Sequence, residues 1–174
     1  MTVPCTVAEP VPSSPRPRPT FGALLRRPVH LLAFGLGSGL SPVGPGTAGT
    51  LLAVPLYLLV ARLPMPVYGA VVAVGFAVGI WLCGRTARDL GVHDHPGIVW
   101  DEIIGYLLTM MAMPVGALPV LGGFVAFRLF DILKPWPVGW FDRRVGGGLG
   151  IMLDDALAAG YAWLVLWALL HWWS

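Results

Sequence analysis

Two apolar runs in this chain are long enough to cross a lipid bilayer as helices. Residues 65–84 carry no charge and are followed at once by Arg85 and Arg88, as is typical of the end of a transmembrane helix. Residues 156–173 form a second uncharged run, and its last side chains, Trp172 and Trp173, suit a membrane interface. The hydrophobic pattern therefore predicts two membrane helices.

A third apolar run is broken in its middle. Residues 29–61 contain no Asp, Glu, Lys or Arg, but the segment SPVGPGTAGT at 41–50 cannot continue a helix. The pattern predicts two helices of about 12 residues each, which is too short to cross a bilayer alone. We expect the second of these helices to begin near Thr50.

The fourth apolar run, residues 103–127, has two possible arrangements. Pro114 and Pro119 allow either one kinked span or a re-entrant helical hairpin. The positive-inside rule favours the hairpin, because nearly all Lys and Arg residues then share one membrane face. That arrangement makes the run at 29–61 cross the membrane and carries its 41–50 loop away from this face. A shallow bundle that never fully spans would remove the conflict.

The composition agrees with a membrane-embedded bundle. Hydrophobic residues make up 56% of the chain and charged residues only 11%, whereas a soluble domain has about 25% charge. We therefore predict an all-α fold, a compact bundle of membrane-embedded helices of which several are short or broken. A net charge of +2 is too small to indicate nucleic-acid binding. Cys5 and Cys83 form neither a disulfide framework nor a metal half-site.

The first 27 residues differ from the rest of the chain. They are rich in Pro and Arg and contain no apolar stretch followed by a small-residue cleavage site. We predict a disordered Pro/Arg-rich tail over residues 1–27 and a single helical domain over residues 28–174. The arginines of the tail would hold it on the cytoplasmic side.

Five carboxylates lie where charged segments meet apolar runs. Acidic side chains at membrane depth are costly unless they are paired or bound to metal, and they commonly mark functional sites. Oxygen-rich sets of this kind suit Mg²⁺, which binds carboxylates, phosphate oxygens and water. For the last two, at the start of the final apolar run, a helix N-terminal cap is the alternative. The five are Asp101, Glu102, Asp131, Asp154 and Asp155.

Cations and glycines accompany these carboxylates. Arg128, Asp131 and Lys134 share one face of a predicted helix, which is either a solvated salt-bridge face or a metal ligand between two phosphate-neutralising cations. The glycine-rich segment 146–150 predicts a flexible loop that can approach an anion. The 41–50 segment predicts either a phosphate-facing loop or a helical turn capped by Thr.

Other motifs, present or absent, restrict the classes of reaction that the sequence supports. His93 and His95 flank Asp94, which predicts either a proton shuttle or a hydrogen bond within the loop. The chain has no GxSxG, no P-loop, no D-x-D pair and no correctly spaced thiolate phosphatase loop. These absences argue against serine hydrolase, nucleotide-binding and haloacid-dehalogenase chemistry.

Three segments together resemble the phosphatidylglycerophosphatase A family of bacterial lipid phosphatases. They are SPVGPGTAGTLLAVPL at 41–56, HDHPGIVWDEIIGYLLTM at 93–110 and FRLFDILKPWPVGWFDRRVGGGLGIMLDD at 127–155. They occur in this order and cover most of the chain after the tail. Only the Pro/Arg-rich extension before Phe21 departs from the family pattern.

The resemblance implies an all-helical fold and Mg²⁺-dependent hydrolysis of phosphatidylglycerophosphate to phosphatidylglycerol and phosphate. It places the active site on the cytoplasmic face of the bacterial inner membrane, with an anionic phospholipid as substrate and no nucleic acid. We expect metal ligands and catalytic groups among Asp101, Glu102, Asp131, Asp154 and Asp155, with Lys134 also catalytic. We expect substrate contacts from Arg128, Lys134, Gly147, Gly148, Gly150, Thr47 and Thr50.

Several alternatives stay open at this point. The sequence does not decide which carboxylate is base, metal ligand or nucleophile, and a covalent aspartyl-phosphate on Asp131 or Asp154 is one mechanism. Other lipid or isoprenoid phosphates are alternative substrates, and no protein partner is indicated. A small cation-coupled transporter would place its carboxylates mid-helix and show inverted repeats, neither of which is visible here.

Overall fold

The described part of the chain is entirely helical. The computed structural model describes residues 19–136 and 138–172, with the side chains of residues 141–143 left aside. No strand occurs within these ranges. In chain order the helices are α1 Phe21–Leu25, α2 Pro28–Ala33, a 3-10 helix at Gly35–Leu40, α3 Pro45–Val60, α4 Met65–Leu90, α5 Trp100–Thr109, α6 Ala117–Leu133, α7 Val138–Arg144 and α8 Gly147–Trp172. The all-α prediction is confirmed.

Helices α4 and α8 are long and apolar enough to cross a membrane. Each has 26 residues, which corresponds to about 39 Å of helix. Large apolar side chains on both helices are exposed, including Val74 on α4 and Leu164 on α8. Apolar surface of this extent is typical of contact with lipid. Together these features are those of a membrane protein.

The predicted tail is partly helical. Residues 1–18 lie outside the described residues, so the prediction of disorder there has no structural test. The short helix α1, however, lies inside the segment assigned to the tail. Its Leu24 is fully buried in the hydrophobic core. Burial of this apolar side chain attaches α1 to the bundle.

The break in the run at 29–61 is confirmed, but the next helix begins earlier than predicted. Helix α3 starts at Pro45 rather than near Thr50, because Gly44 takes a left-handed conformation and Pro45 suits the first helical position. The predicted Thr cap is wrong: Thr50 lies inside α3 and its hydroxyl donates to the carbonyl of Gly46 over 3.0 Å. Helix α3 is therefore 16 residues long.

Helices α5 and α6 form the predicted hairpin. A turn at residues 110–116 separates them, and the Tyr106 hydroxyl donates to the Val120 carbonyl over 3.0 Å. Helix α5 has only 10 residues, so it is too short to span a bilayer. The beginning of α5 and the end of α6 consequently lie at the same end of the bundle, which brings the two charged segments together.

Helix α8 is the centre of the bundle and packs against α4, α5, α6 and α7. It begins at Gly147, so the prediction of a flexible glycine loop is wrong from that residue onward. A Cβ at Gly148 would collide with the Ile80 carbonyl, and this lack of a side chain lets α8 lie directly on α4. The early start places Asp154 and Asp155 in the third turn of α8. The prediction that they cap the helix is therefore also wrong.

Candidate active site

The first two carboxylates of the site begin helix α5. Asp101 is buried and Glu102 is mostly buried, because α5 starts inside the bundle between α3, α4 and α8. One oxygen of each, Oδ1 of Asp101 and Oε2 of Glu102, has no hydrogen-bond partner within the described residues. Buried carboxylate oxygens without partners are costly unless a ligand satisfies them.

These two groups hold protons more firmly than ordinary carboxyls. Burial raises the pKa of Asp101 well above its usual range, and the charges of Glu102, Asp94 and Asp154 raise it further. Burial also raises the pKa of Glu102, followed by the charge of Asp155, whereas the Arg128 guanidinium acts in the opposite direction. The start of α5 therefore brings several carboxyl groups together beside one guanidinium, that of Arg128.

Arg128 links α5 to α6. Its Nη1 lies 2.7 Å from Oδ2 of Asp131, one turn later on α6, and 3.6 Å from Oε1 of Glu102. All three side chains are only 13% to 15% exposed. One guanidinium thus sits between two carboxylates in a poorly hydrated position, where electrostatic interactions are stronger than at a surface.

Lys134 does not lie on the helix face that the sequence predicted for it. Helix α6 ends at Leu133, and Lys134 follows in a left-handed conformation with φ of 40°. Its ammonium Nζ donates to Oδ2 of Asp154 on α8 over 2.5 Å. Lys134 therefore connects α6 to α8 instead of lying in line with Arg128 and Asp131.

Asp155 brings α8 into contact with the same cluster. Its carboxyl lies within hydrogen-bonding reach of the Asp131 carboxyl, while its Oδ2 has no partner within the described residues. The approach of α5 is possible because Gly105 lacks a side chain: a Cβ there would lie 3.4 Å from Cβ of Asp155 and would overlap Phe127. The structure thereby joins carboxylates from three helices.

The start of α3 lies directly against this cluster. A Cβ at Gly46 would overlap Oε1 of Glu102 and lie 2.9 Å from Nη1 of Arg128, and one at Gly49 would lie 3.3 Å from Oε2 of Glu102. The expectation that the 41–50 loop lies away from the charged segments is therefore wrong. Sequence reasoning did not single out Gly46 and Gly49, although their i, i+3 spacing is a signal for close helix contact.

The remaining predicted substrate contacts have different environments. Thr47 is exposed in the first turn of α3, whereas Thr50 is fully buried with its hydroxyl bonded inside the helix. Gly147 is exposed and has φ of 72°. A Cβ at Gly148 or at Gly150 would collide with a backbone carbonyl, so both glycines have a packing role.

The loop before α5 adds one more acid to the surroundings of the site. His95 accepts a hydrogen bond at Nδ1 from the Gly97 N–H over 3.0 Å and packs against Phe34, which supports the loop hydrogen-bond interpretation for this histidine. His93 is exposed and near Gly146. Asp94, which sequence reasoning left without a role, is close enough for its charge to raise the pKa of both Asp101 and Glu102.

The cluster has the donor chemistry for a hard divalent cation. Within residues 19–136 and 138–172, no three His, Cys, Asp or Glu side chains already converge on one metal position. Mg²⁺, however, commonly takes one or two carboxylates and completes its shell with water and phosphate oxygens. Partner-free oxygens on Asp101, Glu102 and Asp155 fit that requirement.

Comparisons with known proteins agree with one family. A family model described as phosphatidylglycerophosphatase A matches residues 31–170. A protein of that name from Escherichia coli K12 is 50% identical over 150 residues, which cover 86% of this chain and 87% of the relative. One from Haemophilus influenzae is 44% identical over 153 residues, covering 85% and 92%.

A more distant relative carries another name. It is a Bacteroides thetaiotaomicron protein, 35% identical over 144 residues, covering 78% of this chain and 89% of the relative, and it is provisionally named a phosphatidylinositol-3-phosphatase. No solved structure matches the chain. The family match spans the α3 start and every carboxylate of the cluster. With the two closer relatives it shows that the chain belongs to the phosphatidylglycerophosphatase A family of enzymes.

Proposed function

We propose that this enzyme hydrolyses the terminal phosphomonoester of phosphatidylglycerophosphate, releasing inorganic phosphate and phosphatidylglycerol. Family membership supports the reaction, since the relatives from Escherichia coli and Haemophilus influenzae are named for it. The observation that carries the proposal is the mostly buried cluster of five carboxylates at one end of the bundle, in which Arg128 pairs with Glu102 and Asp131 and Lys134 pairs with Asp154. Such a mixture of cations and acids suits a phosphate group and its metal ion.

We assign the cations to the phosphoryl oxygens. Arg128 can present a planar fork of donors to two oxygens at once, and Lys134, just past the end of the same helix, supplies a point charge. In the resting protein both are bound to carboxylates, Arg128 to Asp131 and Lys134 to Asp154. These pairs hold the cations in place before the substrate arrives, so little reorganisation is needed when charge develops on the phosphoryl group.

We assign Mg²⁺ binding to the carboxylates that have an oxygen without a hydrogen-bond partner. Asp101, Glu102 and Asp155 each have a buried oxygen without a hydrogen bond in the described structure, and Asp131 and Asp154 adjoin them. A Mg²⁺ ion held by these carboxylates would supply Lewis-acid polarisation of a phosphoryl oxygen and would lower the pKa of a water molecule. A carboxylate that is not engaged with the metal would accept the proton of the attacking water, and Asp131, which lies beside Asp155, is our candidate.

We place the site at the cytoplasmic face of the inner membrane. The positive-inside rule supports this orientation, because Arg85, Arg88, Arg128 and Lys134 lie at the end of the bundle that holds the cluster. Arg62 lies in the turn between α3 and α4, at the opposite ends of those helices. An anionic phospholipid would then present its headgroup phosphate to the cluster from the cytoplasmic leaflet.

The direct test is phosphate release by the detergent-purified full chain, with Mg²⁺ and with EDTA. We expect metal-dependent release from phosphatidylglycerophosphate, lost in Asp131→Asn and in Asp154→Asn and retained in the control Asp89→Asn. Asp89 is a suitable control because it pairs with His30 and Arg85 and not with the cluster. Failure of the wild type to release phosphate with any divalent metal would refute the proposal.

A second substrate class is tested in the same assay. The name of the Bacteroides relative makes an inositol lipid monophosphate the relevant competitor. We expect phosphatidylglycerophosphate to be hydrolysed with the higher kcat/KM, since the closer relatives carry its name. A higher kcat/KM for the inositol lipid would keep the phosphatase chemistry but replace the substrate.

A further inference from the structure

A polar cavity lies outside the carboxylate cluster, between the N-terminal helices and the end of α4. Its volume is about 490 Å³. It shares no lining residue with the candidate active site. Its charged and aromatic lining comes from Arg26, Arg27, His30, Trp81, Arg85 and Asp89.

Positive charge predominates in this cavity. Three guanidiniums line it against a single carboxylate, Asp89. That carboxylate is already engaged, because Nε2 of His30 lies 3.0 Å and Nε of Arg85 lies 3.1 Å from its oxygens. Arg26 and Arg27 make no side-chain hydrogen bond or ion pair with the rest of the described chain. Among residues 19–136 and 138–172, these two guanidiniums therefore have no counter-charge.

Hydrogen bonds already hold three of the side chains that line the cavity. His30 is only 5% exposed and holds Asp89, which connects α2 to the end of α4. Asp89 in turn accepts a hydrogen bond from Nε of Arg85 over 3.2 Å. The contact uses the inner nitrogen of the guanidinium, so its two terminal nitrogens keep their donors for an anion. A fixed arginine of this kind costs little ordering when it binds a ligand.

The cavity also continues onto the apolar surface of α4. Trp81 lies one turn before Arg85 on the same helix face and is 57% exposed. Val78 and Val74 are also exposed, farther along the helix toward its other end. This order of side chains matches the layers of a bilayer leaflet. The arginine at the helix end corresponds to the headgroups, the Trp one turn deeper to the interface, and the aliphatic side chains beyond it to the hydrocarbon.

We propose that this cavity binds the phosphodiester headgroup of an anionic phospholipid, whose acyl chains lie along α4. The terminal donors of Arg85 and the side chains of Arg26 and Arg27 meet the phosphate, and Trp81 contacts the region below it. A free phosphate ion would be attracted by the same arginines but would gain nothing from Trp81 and the valines. The inference depends on the membrane setting of α4 and not on which phosphate ester the enzyme hydrolyses.

Native mass spectrometry of the detergent-purified full chain measures this binding. The probes are phosphatidylglycerol and a phosphatidylcholine with the same acyl chains, each with and without inorganic phosphate. The variants are Arg26→Gln/Arg27→Gln and Arg85→Gln, and Arg62→Gln in the α3–α4 turn is the matched control. We expect phosphatidylglycerol to bind the wild type and Arg62→Gln equally, and affinity to fall about fivefold for each cavity arginine removed.

Three results would overturn the proposal. The first is equal phosphatidylglycerol affinity in the double variant and the wild type. The second is equally tight binding of phosphatidylcholine, which indicates an apolar contact without headgroup recognition. The third is displacement of the lipid by an equal concentration of inorganic phosphate, which identifies a site for the free ion.

An activity measurement distinguishes lipid binding in this cavity from lipid binding at the active site. Arg26 and Arg27 have no partner whose loss would unfold the described chain, so we expect Arg26→Gln/Arg27→Gln to keep the wild-type thermal unfolding temperature. We also expect the wild-type rate of phosphate release in detergent without added phosphatidylglycerol. A parallel loss of lipid binding and catalysis in this variant would assign the arginines to the substrate and refute a separate site.

Discussion

Lys134 and Asp154 join the end of α6 to the third turn of α8 through a hydrogen bond of 2.5 Å between Nζ and Oδ2. Lys134 makes this contact from a left-handed backbone conformation, with φ of 40° and ψ of 59°. A residue with a Cβ disfavours that conformation by about 1 kcal/mol, whereas Gly adopts it freely. Position 134 therefore retains a strained lysine where a glycine would end the helix more stably, which is typical of a functional residue.

This strain gives a prediction that separates stability from catalysis. Lys134→Ala and Lys134→Gly both remove the ammonium group, so we expect each to lower kcat/KM by about 100-fold or more. Only Lys134→Gly relieves the strain of the left-handed backbone. The free energy of unfolding of this variant should therefore exceed that of Lys134→Ala by about 1 kcal/mol. Denaturation of the two variants in detergent checks the difference. Equal stability would contradict the left-handed assignment, and retained activity would contradict a role for the ammonium.

The contact between α3 and Glu102 predicts the effect of one methyl group. Gly46→Ala places a Cβ against Oε1 of Glu102 and near Arg128, so the start of α3 or the two side chains must move. We expect a loss of about 1–3 kcal/mol in the free energy of unfolding and about 100-fold in kcat/KM, because small displacements of positioned groups are costly.

The matched control for that variant is Gly69→Ala on α4. A Cβ at Gly69 has no neighbour within 4 Å, so alanine should raise helix stability by about 0.5–1 kcal/mol without affecting turnover. Thermal unfolding and phosphate release are measured on both proteins. Wild-type activity in Gly46→Ala would show that the α3 start does not need its close approach to the cluster.

The partner-free oxygen of Asp101 predicts a trade-off between stability and function. Asp101→Asn removes a buried carboxylate that has no hydrogen bond at Oδ1, so the variant should be more stable than the wild type in EDTA near neutral pH. It should also lose stabilisation by Mg²⁺ and most activity. Melting temperatures with EDTA and with increasing Mg²⁺ check both points. Wild-type stabilisation by Mg²⁺ in the variant would remove Asp101 from the metal ligands.

The metal-free protein should become less stable as pH rises. The pKa values of Asp101 and Glu102 are raised in the folded state, so from about pH 4, near the unfolded values, up to the raised pKa values the folded protein binds more protons than the unfolded chain. The free energy of unfolding then falls with pH, by up to about 1.4 kcal/mol per pH unit for each protonated group. Ionisation of these carboxyls in the absence of a cation is the physical cause.

Unfolding experiments in EDTA across this range measure the slope. Asp101→Asn should give a shallower slope than the wild type, because one of the two titrating groups is gone. Mg²⁺ should also reduce the slope, since a bound cation stabilises the ionised carboxylates. Stability that is constant or rises with pH in EDTA would show that both carboxyls are already ionised without metal.

The sequence by itself determined the helical class and singled out the charged residues that the structure brings together. Apolar runs at 65–84 and 156–173 correspond to α4 and α8, and the positive-inside rule correctly favoured the α5–α6 hairpin. The seven charged residues of the cluster were all identified, because acidic side chains beside apolar runs are rare and costly. The three family segments were equally visible, since short motifs are local properties of a chain.

Only the tertiary structure decided how these residues meet. Contacts between Gly46 and Glu102, Arg128 and Glu102, and Lys134 and Asp154 join segments that are 20 to 56 residues apart. No periodicity or spacing encodes such distances, because they depend on how closely whole helices approach. Glycines such as Gly148, which the sequence suggested as an anion loop, set that approach by lacking a side chain at a helix contact. The burial that leaves carboxylate oxygens without partners likewise exists only once α3, α5, α6 and α8 have packed together.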